Sequence, residues 1–243
     1  MSKTWAWPLL LGILVIAGCQ SNDVGRQGAT PRSEGGEATP ISAVPTPVDV
    51  QPTSLETSAL LAELGTSDRY PTGLPDYDRK AFGSRWSDTD RNGCNQRDDV
   101  LLRDAQTGTT RTQQQGRCDH DVVAGTWLDP YTGRTLTFTD LKDPKQSVAI
   151  QIDHIVPLAE AWRSGASDWS NDRRRQYAND LDNLLAVDGP TNASKSSYDP
   201  ASWRPRQAFQ CTYATRWIEV KHRWDLSADP SEVAALRDML TTC

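Results

Sequence analysis

Histidine is scarce in this 243-residue chain, with three in all, and no two cysteines stand in a C-x-x-C pair. The first scarcity disfavours a metal site built on several imidazoles, and the second argues against a zinc site made of the thiolates beyond Cys19. Positive charge is short as well: the formal net charge is -6. That balance argues against a nonspecific nucleic-acid coat over the whole surface but leaves a local basic groove open. No internal repeat is found. The one long apolar run, Trp5 to Ala17, is too short for an ordinary transmembrane helix.

What is present divides the chain into parts. Lys3, the apolar run and Ile16-Ala17-Gly18-Cys19 read as an export signal. The last four resemble the lipobox of bacterial lipoproteins, in which Cys19 becomes the lipidated first residue; a plain signal peptide or a short anchor are the alternatives. From Gln20 to about Thr57 the chain is rich in Gly, Pro, Ser and Thr and reads as a disordered tether. The expected organisation is therefore a signal over 1–19, a tether over 20–57 and one domain over 58–243. Cys94, Cys118, Cys211 and Cys243 are an even set in an exported chain, so two disulfides are expected. Three pairings are possible, and proximity favours Cys94 with Cys118 and Cys211 with Cys243.

Helices are expected over Ser58 to Leu64, Leu158 to Arg163, Asn171 to Asp180 with Ser170 as N-cap, Gln207 to Trp224 and Ser231 to Leu240. Strands are expected over Thr135 to Phe138, Val148 to Val156 and Leu184 to Val187, with Asn192 in or at the start of a helix. Val100 to Asp104 and Val122 to Trp127 fit either type.

The segment Gln151-Ile152-Asp153-His154-Ile155-Val156-Pro157, followed by Leu181-Asp182-Asn183 and Asn192-Ala193-Ser194-Lys195, carries the chemistry. Adjacent residues on a strand point to opposite faces, so Asp153 and His154 can take different tasks. An imidazole titrating near neutrality suits a general base, and Asp153 with Asn192 offers hard oxygen donors. This wording resembles the HNH nuclease family, including the HNH domain of CRISPR effector nucleases. It is still more similar to the C-terminal domain of GmrSD-type restriction enzymes, which small secreted actinobacterial proteins also carry.

The resemblance implies an α+β fold: a beta-beta-alpha metal core within 148–200, with additional helices. It implies an endonuclease that hydrolyses phosphodiester bonds of nucleic acid, DNA before RNA, with magnesium or manganese. It assigns His154 as base, Asp153 and Asn192 as metal ligands, Asn183 as a tie between the strands, and Lys195 as a basic residue for the scissile phosphate. A monomer tethered outside the cytoplasm through the lipid at Cys19, or released from there, completes the expectation. The alternative is a non-catalytic cell-envelope binding module that keeps the fold, with calcium in the loop Asp88 to Asp99 as its candidate ligand. Arg173 to Arg175 with Arg204, Arg206, Arg216, Lys221 and Arg223 form a candidate basic surface, against the bland reading of a solvated helix face. His120 and His222 read as structural.

A second constellation lies upstream. Asp88, Asp90, Asn92, Gly93, Cys94 and Asp99 match the spacing of an EF-hand-like calcium loop, except that Asp99 replaces the usual Glu. Ordinary turns use the same residue types.

Overall fold

The computed structural model describes residues 54–243, so the export signal, Cys19 and most of the expected tether lie outside the described residues. Within them are eight α-helices and two small antiparallel sheets, an α+β arrangement. A long-range frame comes from α1 (Ser54–Glu63), α7 (Gln207–Arg223) and α8 (Pro230–Leu240), which pack on one another. The α1 helix begins inside the span expected to be tether, because Thr57 and Leu61 bury one helical face. Among the described residues, no helix is long and apolar enough to cross a membrane.

The helix α2 (Gln96–Asp104) is followed by a meander of β1 (Arg111–Gln115), β2 (Cys118–Leu128) and β3 (Thr135–Phe138). The two ambiguous apolar segments thus resolve as one helix and one strand. Asn95 caps α2 by accepting from the Arg97 and Asp98 amides, and Trp127 on β2 donates its indole N–H to the Leu101 carbonyl at 2.8 Å.

Beyond the one-turn α3 (Pro144–Ser147), β4 (Ile150–His154) pairs with β5 (Leu184–Asp188). The β4 strand is shorter than its apolar content suggests. Val148 caps α3, and the Ile155 and Val156 amides turn to Asn183 instead of extending the ladder. In register, Asp153 faces Leu185 and His154 faces Leu184. Between these strands run α4 (Leu158–Arg163) and α5 (Asn171–Ala178), the latter capped by Ser170. It stops before Asp180 because that residue caps the following 3-10 turn, Leu181–Asn183.

After β5 the chain turns into α6 (Gly189–Lys195), capped by the Asp188 carboxylate on the Thr191 amide, with Pro190 in the first turn. A Cβ on Gly189 would stand 2.3 Å from the Val148 carbonyl. Only glycine allows the helix to start this close to β4.

The strand alternation places the ribbon between two cores. Ile150, Ile152, Leu184 and Ala186 join Val100, Leu101, Val122 and Trp127 on one side. Leu185 and Val187 join the helical cluster around Tyr177, Tyr213 and Trp217 on the other. A two-stranded ribbon has too little area to be stable alone, and burial on both faces supplies what it lacks. Cys94 is bonded to Cys118 and Cys211 to Cys243, joining the start of α2 to β2 and α7 to the C-terminus.

Candidate active site

Asn183 is fully buried where β5 begins. Its Oδ1 accepts from the Val156 amide at 2.9 Å, its Nδ2 donates to the Val156 carbonyl at 3.2 Å, and its backbone carbonyl accepts from Ile155 at 2.8 Å. The Tyr177 hydroxyl also donates to Val156 O, at 2.8 Å. The turn leaving His154 is thereby fixed to the neighbouring strand.

His154, at the end of β4, is half-buried and stacks on Trp86, with ring centroids 6.1 Å apart and planes inclined by 14°. Its Nε2 lies 2.9 Å from the Ala178 carbonyl. A carbonyl only accepts, so Nε2 carries the proton and, in the neutral ring, Nδ1 carries the lone pair. Burial holds the imidazole down to about pKa 4; the Ala178 carbonyl opposes this, and the charges of Arg79 and Lys195 reinforce it. Near neutral pH the ring is a base with a fixed tautomer.

Asp153 occupies the other face. Its Oδ2 accepts from the Tyr131 hydroxyl at 2.6 Å and faces Lys195 Nζ at 2.9 Å. Burial pushes this carboxyl above the usual range, against the opposing effects of Lys195 and Tyr131. Burial likewise draws the Lys195 ammonium down, against the pull of Asp153. Lys195 is fully buried, and Nζ also donates to the His154 carbonyl at 2.9 Å. The expectation that Lys195 reaches a scissile phosphate is therefore corrected: its ammonium braces the Asp153-His154 strand end from within.

Asn192, on α6, donates from Nδ2 to Gln151 Oε1 at 2.9 Å, and its own Oδ1 accepts nothing from the described residues. Asp153, His154 and Asn192 together line a cavity of about 490 Å³. The chemistry of the donor set, a carboxylate and an amide oxygen, suits a hard divalent ion of the magnesium type that keeps waters in its remaining positions. Lys195 offsets the carboxylate charge.

The rim was not legible as a set. Arg79, Arg85, Trp86 and Arg97 line an adjoining cavity of about 380 Å³ that shares His154, Ile152 and Asn192 with the first. Arg79 and Arg85 stand some seventy residues before His154, around the 3-10 turn Arg79–Phe82, and no spacing connects them. The candidate basic surface is instead largely committed elsewhere. Arg204 pairs with Asp238, Arg223 with Asp182, Arg173 with Asp225 and Arg175 with Asp172. Arg216 and Arg174 donate to backbone carbonyls, and Lys221 is buried between Glu160 and Glu232. His120 bridges Asp99 and Asp119, and His222 meets Glu63.

An antiparallel pair followed by a short helix, with Asp-His at the end of the first strand, makes a beta-beta-alpha arrangement. The family described as "GmrSD restriction endonucleases, C-terminal domain" matches residues 95–239, and the chain belongs to it. An "Uncharacterized secreted protein" of Arthroderma benhamiae (strain ATCC MYA-4681 / CBS 112371) is 38% identical over 210 residues, which cover 85% of this chain and 95% of that protein. No solved structure matches.

Proposed function

We propose that the protein is an exported endonuclease that hydrolyses phosphodiester bonds of nucleic acid, DNA in preference to RNA, with one divalent ion held by Asp153 and Asn192. The observation that carries this reading is the His154 tautomer: Nε2 is committed to the Ala178 carbonyl, and the ring opens on the cavity that Asp153 and Asn192 also line. His154 Nδ1 takes a proton from water as the water oxygen bonds to phosphorus. The bond from phosphorus to a sugar oxygen breaks, and that oxygen takes a proton from a second water molecule, whose hydroxide is neutralised by the proton His154 releases to solvent. A bound magnesium or manganese ion would relieve charge on the phosphate as a Lewis acid. Asn183 and Lys195 keep the strand end in place, and Arg79, Arg85 and Arg97 offer cations to the flanking phosphates. Export is supported by the secreted relative and by the signal-like first 19 residues, with lipidation at Cys19 as the anchor.

Plasmid digestion with magnesium, with manganese and with chelator tests the proposal. Cleavage should require the ion and vanish in His154→Ala. Asn192→Ala should lose rate at low magnesium and regain part of it at high magnesium, since the ion retains its other ligand; His154→Ala should gain nothing. Chelator-resistant cleavage, or full activity of His154→Ala, would overturn the assignment.

A further inference from the structure

The loop Asp88 to Asp99 lies outside the machinery just described, and it holds every buried side-chain oxygen that lacks a hydrogen-bond partner among the described residues: Asp88 Oδ1, Gln96 Oε1 and Asp99 Oδ2. Gln96 is fully buried and the Asp99 side chain is 9% exposed. A buried oxygen without a donor costs roughly 1–3 kcal/mol, so three in one loop call for an explanation. Counted along the loop, they fall at its first, ninth and twelfth positions, each a ligand position of a twelve-residue calcium loop.

The remaining geometry agrees. Asn92 Nδ2 donates to Asp90 Oδ2 at 3.0 Å and to Asp99 Oδ1 at 2.9 Å, which gathers the third and twelfth positions around the fifth. Asn92 Oδ1 accepts from the Cys94 amide at 2.7 Å, and His120 Nε2 stands 2.8 Å from Asp99 Oδ1. An ion would thus take the place of the Asn92 amide nitrogen, and the Asn92 side chain would turn its oxygen inward to bind it. The sixth position, Gly93, has φ +96°, and its amide donates to Asp88 Oδ2 at 3.1 Å. A Cβ there would meet the Arg117 carbonyl at 2.6 Å. The exiting helix α2 starts at Gln96, the ninth position. Cys94, the seventh, is bonded to Cys118 and holds the loop against β2. That bond also removes the nearby Cys94, Cys118 and His120 grouping from consideration as a thiolate metal site.

We propose that Asp88, Asp90, Asn92, the Cys94 carbonyl, Gln96 and Asp99 form a calcium site distinct from the nuclease ion. Oxygens alone, offered by a chain that wraps the ion, suit calcium's six to eight ligands; magnesium demands stricter geometry and keeps its waters. Gln96 is a ligand that the motif spacing alone did not single out. The site sets one wall of the cleft: Trp86, two residues before the loop, stacks on His154, and Arg97, within its exiting helix, lines the same cavity. This inference stands on the loop and does not depend on the nuclease reading.

Calorimetric titration of the exported chain with calcium should show one ion per chain, with Kd on the order of 10⁻⁴–10⁻³ M as in extracellular modules. Calcium at about ten times Kd should raise the folded-to-unfolded ratio about tenfold. Asp88→Asn and Asp99→Asn should each weaken binding at least about tenfold, and Asn192→Ala should leave it unchanged. No calcium heat at millimolar concentrations, or loss of binding in Asn192→Ala with none in the loop variants, overturns the proposal. Hydrogen exchange of the wild-type chain keeps the test decisive if the loop variants do not fold. Calcium should slow the amides of 88–99, whereas slowing confined to 150–195 would move the ion to the nuclease cleft and sink the inference.

Discussion

Lys195 and Asp153 face one another inside the protein, where an ammonium and a carboxylate are each costly alone and tolerable together. Lys195→Met should therefore destabilise the fold by about 3–5 kcal/mol in urea unfolding, because Asp153 is left buried with no cation, only the Tyr131 hydroxyl and the His154 amide. Adding Asp153→Asn to Lys195→Met should recover a substantial part of that loss, since the uncompensated charge is gone. A lysine that served only a phosphate would show no stability loss and no recovery. Asn183 is a different case, a neutral residue whose removal leaves the Val156 amide buried without its acceptor. Asn183→Ala should cost roughly 1–3 kcal/mol and reduce the cleavage rate further than that instability explains, because the turn it holds positions His154. Equal rates for folded mutant and wild type would show that the turn tolerates its absence.

Lys221 on α7, Glu160 on α4 and Glu232 on α8 make the contact that joins three helices. Lys221 Nζ lies 2.9 Å from Glu160 Oε1 and 2.6 Å from Glu232 Oε1. Burial alone would raise Glu160, but Lys221 and Arg163 outweigh it and hold the acid down to about 2. Glu232 lacks a second cation; burial and the Glu160 charge push it up to about 7 despite Lys221. A raised acid stabilises the fold fully below its ordinary pKa and loses that contribution as pH climbs through the folded value. Glu160 works in the opposite sense, its contribution failing only as pH falls toward 2. Wild-type stability attributable to Glu232 should thus decline between about pH 5 and pH 8 by about 1–3 kcal/mol. Urea titrations at several pH values, with Glu232→Leu as reference, read the slope: parallel curves for the two proteins would mean that the acid is not raised. The same helices carry Cys211–Cys243, which closes 32 residues, and its removal should cost about 3–4 kcal/mol by loop-closure entropy.

At the scale of the whole molecule, what the sequence exposed and what it hid follow from distance along the chain. Asp153, His154, Asn183 and Asn192 lie within forty residues on a strand, a turn and a helix whose apolar alternation and caps are local. Their order was therefore readable, as were the helices from α4 to α8. Tyr131 against Asp153, Trp86 against His154, and the burial of Lys195 depend on packing between distant segments, and no local pattern announces it. The basic residues illustrate this best. The run of arginines and lysine around α7 looked like a nucleic-acid surface because sequence proximity was the only measure of clustering. Folding instead gives those cations to Asp180, Asp182, Asp225, Asp238 and Glu232.

For the proposed nuclease, a chain of net charge -6 would attract a polyanion through a confined positive region, and the candidates are the arginines on the rim of the His154 cleft. Each phosphate neutralised on B-form DNA contributes about 0.9 to the slope of log affinity against log salt. Arg85 is the exposed member of the rim, so Arg85→Ala should weaken binding about uniformly across sequences and lower that slope by roughly one contact's worth. Arg204→Ala, whose partner is Asp238 on the far helix α8, should leave affinity and slope unchanged. Both are measured in the His154→Ala background, by fluorescence anisotropy of a labelled duplex over a salt series, so that substrate survives the measurement. If Arg204→Ala changes the slope and Arg85→Ala does not, nucleic acid lies across α7 and the cleft assignment of the phosphate contacts fails.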